Sequence, residues 1–398
     1  MNNSNNNGPL QGIRVIEMGQ LIAGPFCGQL MADLGAEVIK IELPGKGDPM
    51  RGWGRGIPVW WSIIARNKKC ITLDVRTEAG LSIARDLIKQ ADIVLENFRP
   101  GTMEKWGLGY RQLSELNPGI IMTRASGYGQ DGPYSSRAGY GGIGEAMGGL
   151  RHIVGDPSTP PSRVGISIGD SLAAMFACIG TLAALQSRQR SGQGQVVDAA
   201  IYESVLAVME STIPEFTVAG LIRERTGSIL PGIAPSNVYP TADDHMILIG
   251  ANQDTVFKRL CKAMQQEDLA EDERYKTHDA RAENQAELDD LISAWTRQFE
   301  TSELLTLLEE HAVPAGRIFT APDMLEDPHY QARDSIIDIE DSEHDNLKMQ
   351  NVFPRLSATP GQVNWSGPKL GQHNKEIYSE LLDFSEEKLD ELKQAGVI

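Results

Sequence analysis

Cysteine is scarce in this chain of 398 residues. There are four, Cys27, Cys70, Cys178 and Cys261, with no CxxC pair among them. That spacing excludes a disulfide scaffold and a zinc ribbon, and the four read as free, reduced and mostly buried thiols. The seven histidines lie far apart and form no HExxH, so no metal site is expected. A GxSxG elbow, a Walker loop and a GxGxxG fingerprint are also missing, which removes the commonest hydrolase, phosphate-loop and dinucleotide signatures. No apolar run approaches the ~18 residues of a membrane span. Residues 1–8 are Asn-rich, with neither a basic nor an apolar region. They predict a disordered tail rather than a signal or transit peptide, and hence a cytoplasmic protein without membrane attachment.

Positive charge is in short supply too. Lys and Arg number 37 against 54 Asp and Glu, a net charge of −17. Nucleic-acid binding, which depends on neutralising phosphates, is disfavoured. The deficit is uneven: residues 1–140 hold 16 basic and 13 acidic side chains, and the rest 21 and 41. A polyanionic ligand is therefore favoured over the N-terminal third, while the acidic remainder serves solubility.

Single cores rarely grow past roughly 250–300 residues, so this length predicts a large domain and a smaller one. Short apolar strands at 13–17, 37–41, 71–75, 93–96 and 120–126 alternate with helical patterns at 26–34, 78–89 and near Met103. That order predicts an α/β domain with a mostly parallel sheet covered by helices on both faces. Pro25 is expected at the first position of the first helix, where its missing N–H costs nothing. A long helix over 171–190 has apolar residues at Leu172, Met175, Phe176, Ile179, Leu182 and Leu185, and ends on Arg188, Arg190 and Gly192. One more strand is expected at 196–200. The texture changes near Leu221, and residues 225–325 read as a small α+β domain. The large domain then comprises 9–215 together with a returning segment, 330–398.

Two stretches bear on chemistry. Residues 139–149 are glycine-rich but miss the phosphate-loop spacing, so close packing of small residues explains them at least as well. Val164-Gly165-Ile166-Ser167-Ile168-Gly169-Asp170 leads straight into the long helix. There Asp170 reads as an N-cap, its carboxylate accepting from an orphan backbone N–H. The same position favours an ionised, nucleophilic carboxylate beside a glycine that admits substrate. The two readings are compatible.

Several stretches in order carry a family resemblance: residues 15–26, Asp33-Leu34-Gly35-Ala36-Glu37-Val38-Ile39-Lys40-Ile41-Glu42, Arg66-Asn67-Lys68-Lys69, Glu96-Asn97-Phe98-Arg99-Pro100-Gly101, Ser126-Gly127-Tyr128-Gly129, Gly169-Asp170 and Leu370-Gly371-Gln372-His373. From Leu10 to Ile398 the chain resembles the class III CoA-transferases, the formyl-CoA-transferase-like family. The resemblance implies an interlocked homodimer, with coenzyme A, entering as acyl-CoA, bound over the N-terminal α/β domain. It implies Asp170 as nucleophile, attacking the thioester to give an aspartyl anhydride and then an aspartyl-CoA thioester. It implies CoA contacts at Leu21, Ala23, Leu73, Arg76, Asn97, Phe98, Lys105 and Arg137. Ile22 and Leu43 depart from the formyl-CoA pattern, which argues against oxalate or formate. Residues 137–155 look most like the branch pairing succinyl-CoA with another small dicarboxylate, and Arg151 is the candidate partner for a distal carboxylate. An α-methylacyl-CoA racemase is a competing reading, but Tyr140 stands where those enzymes carry a histidine. A non-catalytic CoA-binding protein is another.

Overall fold

The computed structural model describes residues 8–341 and 343–398. The expected tail at 1–8 lies outside the described residues except for Gly8. Gly8 is buried and packs on the Leu34 carbonyl so closely that a Cβ would lie 2.3 Å from its oxygen. The chain divides into two compact units, one of residues 8–151, 164–220 and 332–398, the other of 152–163 and 221–331.

The larger unit is α/β. Six parallel strands, β1 (Arg14–Glu17), β2 (Glu37–Glu42), β3 (Lys68–Thr72), β4 (Ile93–Glu96), β5 (Ile121–Ser126) and β6 (Val196–Ala200), form a sheet in the order β3-β2-β1-β4-β5-β6. Its central strands are buried along nearly their whole length, as a sheet covered on both faces requires. The flanking helices are α1 (Ala23–Asp33), α2 (Val59–Ile64), α3 (Glu78–Lys89), α4 (Thr102–Lys105), α5 (Tyr110–Leu116), α6 (Gly141–Met147), α7 (Leu150–Ile153), α8 (Ile168–Ser191), α9 (Ile201–Leu206) and α10 (Thr212–Ala219). Helix α3 follows local rules: Thr77 caps it by accepting from the Gly80 N–H at 3.0 Å, and Ile83, Ala84, Leu87 and Ile88 face the core. One face of the sheet packs on a core of Ile16, Ile39, Ile71, Leu87 and Val94, the other on Val15, Cys27, Met31, Ala174 and Ala177. All four cysteines are buried and free.

Three local expectations are corrected. Helix α1 starts at Ala23, not at Phe26, so Pro25 is its third residue, where an N–H still lacks an intrahelical acceptor. Strand β3 begins three residues early, at Lys68, because two lysines that look like loop residues are paired: Lys68 with Glu17, Lys69 with Glu37 and Glu376. Helix α8 begins at Ile168 with Ser167 as its cap residue, so Asp170 lies inside the first turn and is not the cap. The far end of α8 is as read, with Gly192 left-handed (φ 70°) and its N–H on the Arg188 carbonyl at 2.8 Å.

Helix α8 is long and apolar enough to cross a membrane, with a mean hydropathy of 1.7, and half of that window is buried within the chain. Its buried stripe consists largely of small residues, Ala173, Ala174, Ala177, Cys178, Thr181 and Ala184, while Met175, Phe176 and Ile179 face outward.

The segment after residue 350 returns to β3. The Cys70 N–H donates to His373 Nδ1 at 3.1 Å and the Thr72 N–H to Asn374 Oδ1 at 2.8 Å. The Tyr378 hydroxyl donates to the Thr72 carbonyl at 2.7 Å, and the Asp74 N–H to the Val397 carbonyl at 2.8 Å. This edge strand is thereby covered.

The smaller unit carries an antiparallel sheet of β7 (Ser236–Pro240), β8 (Met246–Gly250) and β9 (Ala315–Arg317). Helices α11 (Asp254–Ala263), α12 (His278–Glu283), α13 (Gln285–Thr296) and α14 (Thr301–Glu310) surround it. Fully buried Arg281 ties the unit together, donating to the carbonyls of Ala234, Tyr275 and Asn252 and to Asp254 at 2.7–3.0 Å.

Candidate active site

In an open parallel sheet, ligands bind beyond the carboxyl ends of the strands where the strand order reverses, here between β1 and β4. The turn leaving β1 is held firmly. Asn97, just past β4, accepts from the Gln20 N–H at 2.7 Å and donates to the Gln20 carbonyl at 2.9 Å. Gly19 and Gly24 leave room for that amide, since a Cβ on either would lie 2.8 or 3.1 Å from Asn97 Oδ1. Leu21 is left-handed (φ 62°), an uncommon conformation for a residue with a side chain, and its N–H donates to Asp48 Oδ1 at 3.1 Å.

Buried charges lie beneath this turn. Lys40 Nζ donates to the Gly19 carbonyl at 2.7 Å and pairs with Glu17 at 3.1 Å and Asp48 at 2.9 Å. Lys68 pairs with the other Glu17 oxygen at 2.8 Å and holds the Pro25 carbonyl. Burial opposes the charge on Lys40, but Asp48, Glu17 and Glu42 outweigh it and raise its pKa. For Lys68 burial prevails and the pKa is lowered.

A cavity of about 280 Å³ opens beside the turn. Its walls include Leu73, Arg76 and Phe98, three of the expected contacts, with Gln20, Leu43 and Trp106. Phe98 stands edge-on to Trp106 at 5.1 Å, and its N–H donates to Glu96 at 2.6 Å. Glu96 in turn binds Arg124 Nε at 2.6 Å, while Arg124 Nη1 and Nη2 hold Glu104 at 2.7 and 3.2 Å. Arg76 forms a bidentate pair with Asp74, both bonds 2.7 Å, which keeps the Asp74 pKa below the usual carboxylate value. Leu21 belongs to the turn itself, Asn97 holds that turn from beyond β4, and Ala23 is buried at the start of α1. Lys105 is exposed at the end of α4, whose first residue, Thr102, forms part of the cavity wall. Arg137 lies elsewhere, its guanidinium stacked 3.6 Å above the Tyr134 ring.

Asp170 occupies a second focus, built by close backbone contacts. Gly127 and Gly139 meet so tightly that a Cβ on either would come within 3.0 Å of the other's Cα. That contact draws 139–141 against the end of β5 and delivers Gly141 to the Asp170 carboxylate. A Cβ on Gly141 would lie only 2.0 Å from Asp170 Oδ2. Gly144 and Gly148 then bring α6 onto Ile201 and Val205 of α9. The glycine-rich stretch is thus mainly close packing, except that Gly141 makes space for the carboxylate.

Glu145, only 1% exposed, joins this focus. One of its oxygens accepts from the Gly169 N–H at 3.4 Å and the other from Arg151 Nε at 2.8 Å. The Arg151 side chain stays 28% exposed, with Nη2 3.3 Å from where a Gly142 Cβ would be. Sequence reasoning missed Gly141, Glu145 and the Lys40–Glu17–Asp48 cluster. The available signals were the glycine run and a lysine inside an apolar strand.

The sequence profile of CoA-transferase family III matches residues 10–374. A succinyl-CoA–D-citramalate CoA-transferase of Chloroflexus aurantiacus is 60% identical over 98% of both chains. A succinate–glutarate CoA-transferase of Agrobacterium fabrum is 36% identical, over 94% of this chain and 96% of its own. Among solved structures, a CaiB/BaiF family protein of Brucella suis superposes with a TM-score of 0.84 at 34% identity, covering 94% of this chain and all of the other. With an order-reversing parallel sheet, a cavity at its switch point and a carboxylate seated at a helix start, the chain belongs to CoA-transferase family III.

Proposed function

We propose that this enzyme takes CoA from succinyl-CoA and gives it to another small dicarboxylic acid, with Asp170 as the covalent carrier. The observation carrying this reading is the Asp170 carboxylate in the first turn of α8, seated so close to Gly141 that a Cβ there would lie 2.0 Å from its Oδ2. The names of the two transferase relatives support the substrate class.

An Asp170 oxygen attacks the thioester carbonyl of the donor. The C–S bond breaks, giving a mixed anhydride and CoA thiolate. The thiolate then attacks the aspartyl carbonyl and expels succinate, leaving an aspartyl-CoA thioester. The acceptor carboxylate attacks that thioester to give a second anhydride, and the returning thiolate takes the acceptor's acyl group, regenerating Asp170. Each tetrahedral oxyanion needs nearby hydrogen-bond donors. Leu73, Arg76 and Phe98, with Leu21, Ala23 and Asn97 at the turn, are proposed to receive CoA, and Lys105 and Arg137 its phosphates. The outward apolar residues of α8 support a homodimer, and the enzyme is proposed to act in the cytoplasm.

Asp170→Asn tests the chemistry. The amide nearly matches the carboxylate in shape but forms no anhydride at a useful rate. Transfer should fall at least about 10³-fold while the fold is kept. Incubation with succinyl-CoA and hydroxylamine should mark Asp170 in the wild type alone. An adduct on another residue, or near-normal turnover of the Asn variant, would overturn the assignment.

A further inference from the structure

We infer that Arg151, aimed by the buried carboxylate of Glu145, is the residue that receives the distal carboxylate of a dicarboxylyl donor beside Asp170. This rests on the substrate class proposed above and assigns a residue to it. Adjacent residues of α6 support the two groups: Gly141 carries the Asp170 carboxylate, and Gly142 lies under Arg151 Nη2. Consecutive helical positions point about 100° apart, so the carboxylate and the guanidinium meet neighbouring faces of the first turn of α6. In a four-carbon acyl group the carbonyl and the distal carboxylate are separated by only two methylenes, so both can engage that turn together.

The aim comes from Glu145. Its Oε2 holds Arg151 Nε at 2.8 Å, and its Oε1 accepts from Gly169, the residue before Asp170. A single buried carboxylate therefore fixes the guanidinium and pins the start of α8. An arginine held by Nε still presents its Nη edge to a second carboxylate, as Arg124 does here, with Nε on buried Glu96 and both Nη atoms on Glu104. Arg151 has the first half of that arrangement, and its side chain is 28% exposed. The ligand supplies the other half.

Equilibrium titration with succinyl-CoA and butyryl-CoA, which differ in the distal carboxylate, reads this contact without acyl transfer when every protein also carries Asp170→Asn. With Arg151 intact, that protein is expected to favour succinyl-CoA. Arg151→Gln should lower that preference roughly 10- to 100-fold, the worth of a charge-assisted pair. Arg151→Lys should recover part of it, because the charge returns. A purely structural arginine would weaken both ligands alike, and an unchanged ratio in folded Arg151→Gln and Arg151→Lys overturns the proposal. Turnover separates the two levels. If wild type binds succinyl-CoA through Arg151 but transfers no CoA, the proposed function fails and the role of Arg151 stands. If wild type transfers CoA from succinyl-CoA and the variants keep its preference, the reverse holds.

Discussion

Gly141 shows how one missing methyl group shapes the site. Its φ is not positive, so alanine meets no backbone strain there, only a carboxylate oxygen 2.0 Å from the new Cβ. Gly141→Ala must push Asp170 aside, and misplacing a reacting group by about 1 Å can cost about 100-fold in rate. We expect kcat to drop at least that much while the protein stays folded. Turnover within threefold of wild type would show that the contact is dispensable. None of this is legible in the string GYGGIGEAMGG, where every glycine reads alike. Asp170 is singled out by family resemblance, and its expected cap position fails because serine and aspartate are both favoured cap types and stand three residues apart here. The Lys40 cluster was hidden for another reason. Glu17 comes from a different strand, and local pattern says nothing of a partner 23 residues away.

At the scale of elements, the alternation of strands and helices was readable because a parallel sheet buried on both faces demands continuous apolar runs. Helix α8 was harder. Of the six apolar residues singled out on it, Leu172 and Leu185 are buried and Leu182 packs on the core, whereas Met175, Phe176 and Ile179 point outward and alanines fill much of the buried stripe. The covering of β3 leads to a pH prediction. Burial lowers the His373 pKa most; Glu376 opposes this and Lys69 adds to it. A histidine whose folded pKa is depressed contributes stability that is fully present above its unfolded pKa, about 6.5, and lost as pH falls through the folded value. Protonation also removes the Nδ1 acceptor used by the Cys70 N–H. His373→Ala should therefore melt below wild type at pH 7.5, with the gap closing towards pH 5. A gap constant across that range would mean that His373 contributes by packing alone.

At the scale of the molecule, the larger unit leaves several large apolar side chains exposed. Met175 and Ile179 on α8 and Ile213, Phe216 and Val218 on α10 are 38–87% exposed. Where such side chains form one patch they mark an interaction surface, and the proposed homodimer would cover them. The wild type should scatter light as a dimer at micromolar concentration, and Phe216→Glu should shift it towards monomer. A wild type that is monomeric under those conditions would dispose of the homodimer. The charge asymmetry is legible at this scale in the sequence alone, and the residues lining the 280 Å³ cavity come from the less acidic N-terminal third.

The bonds that close β3 also have a history in time. Cys70 and Thr72 are matched by residues 303 and 302 positions further on, and the Trp61 indole by Pro368, 307 further. At roughly 5–20 residues per second, a ribosome needs about 15–60 s to supply those partners. Throughout that interval the nascent sheet has an open edge to which a strand of any neighbouring chain can add. On a crowded polysome the nearest such strand is the same β3 of the next copy, so wider spacing of ribosomes along the message should raise the yield of folded protein.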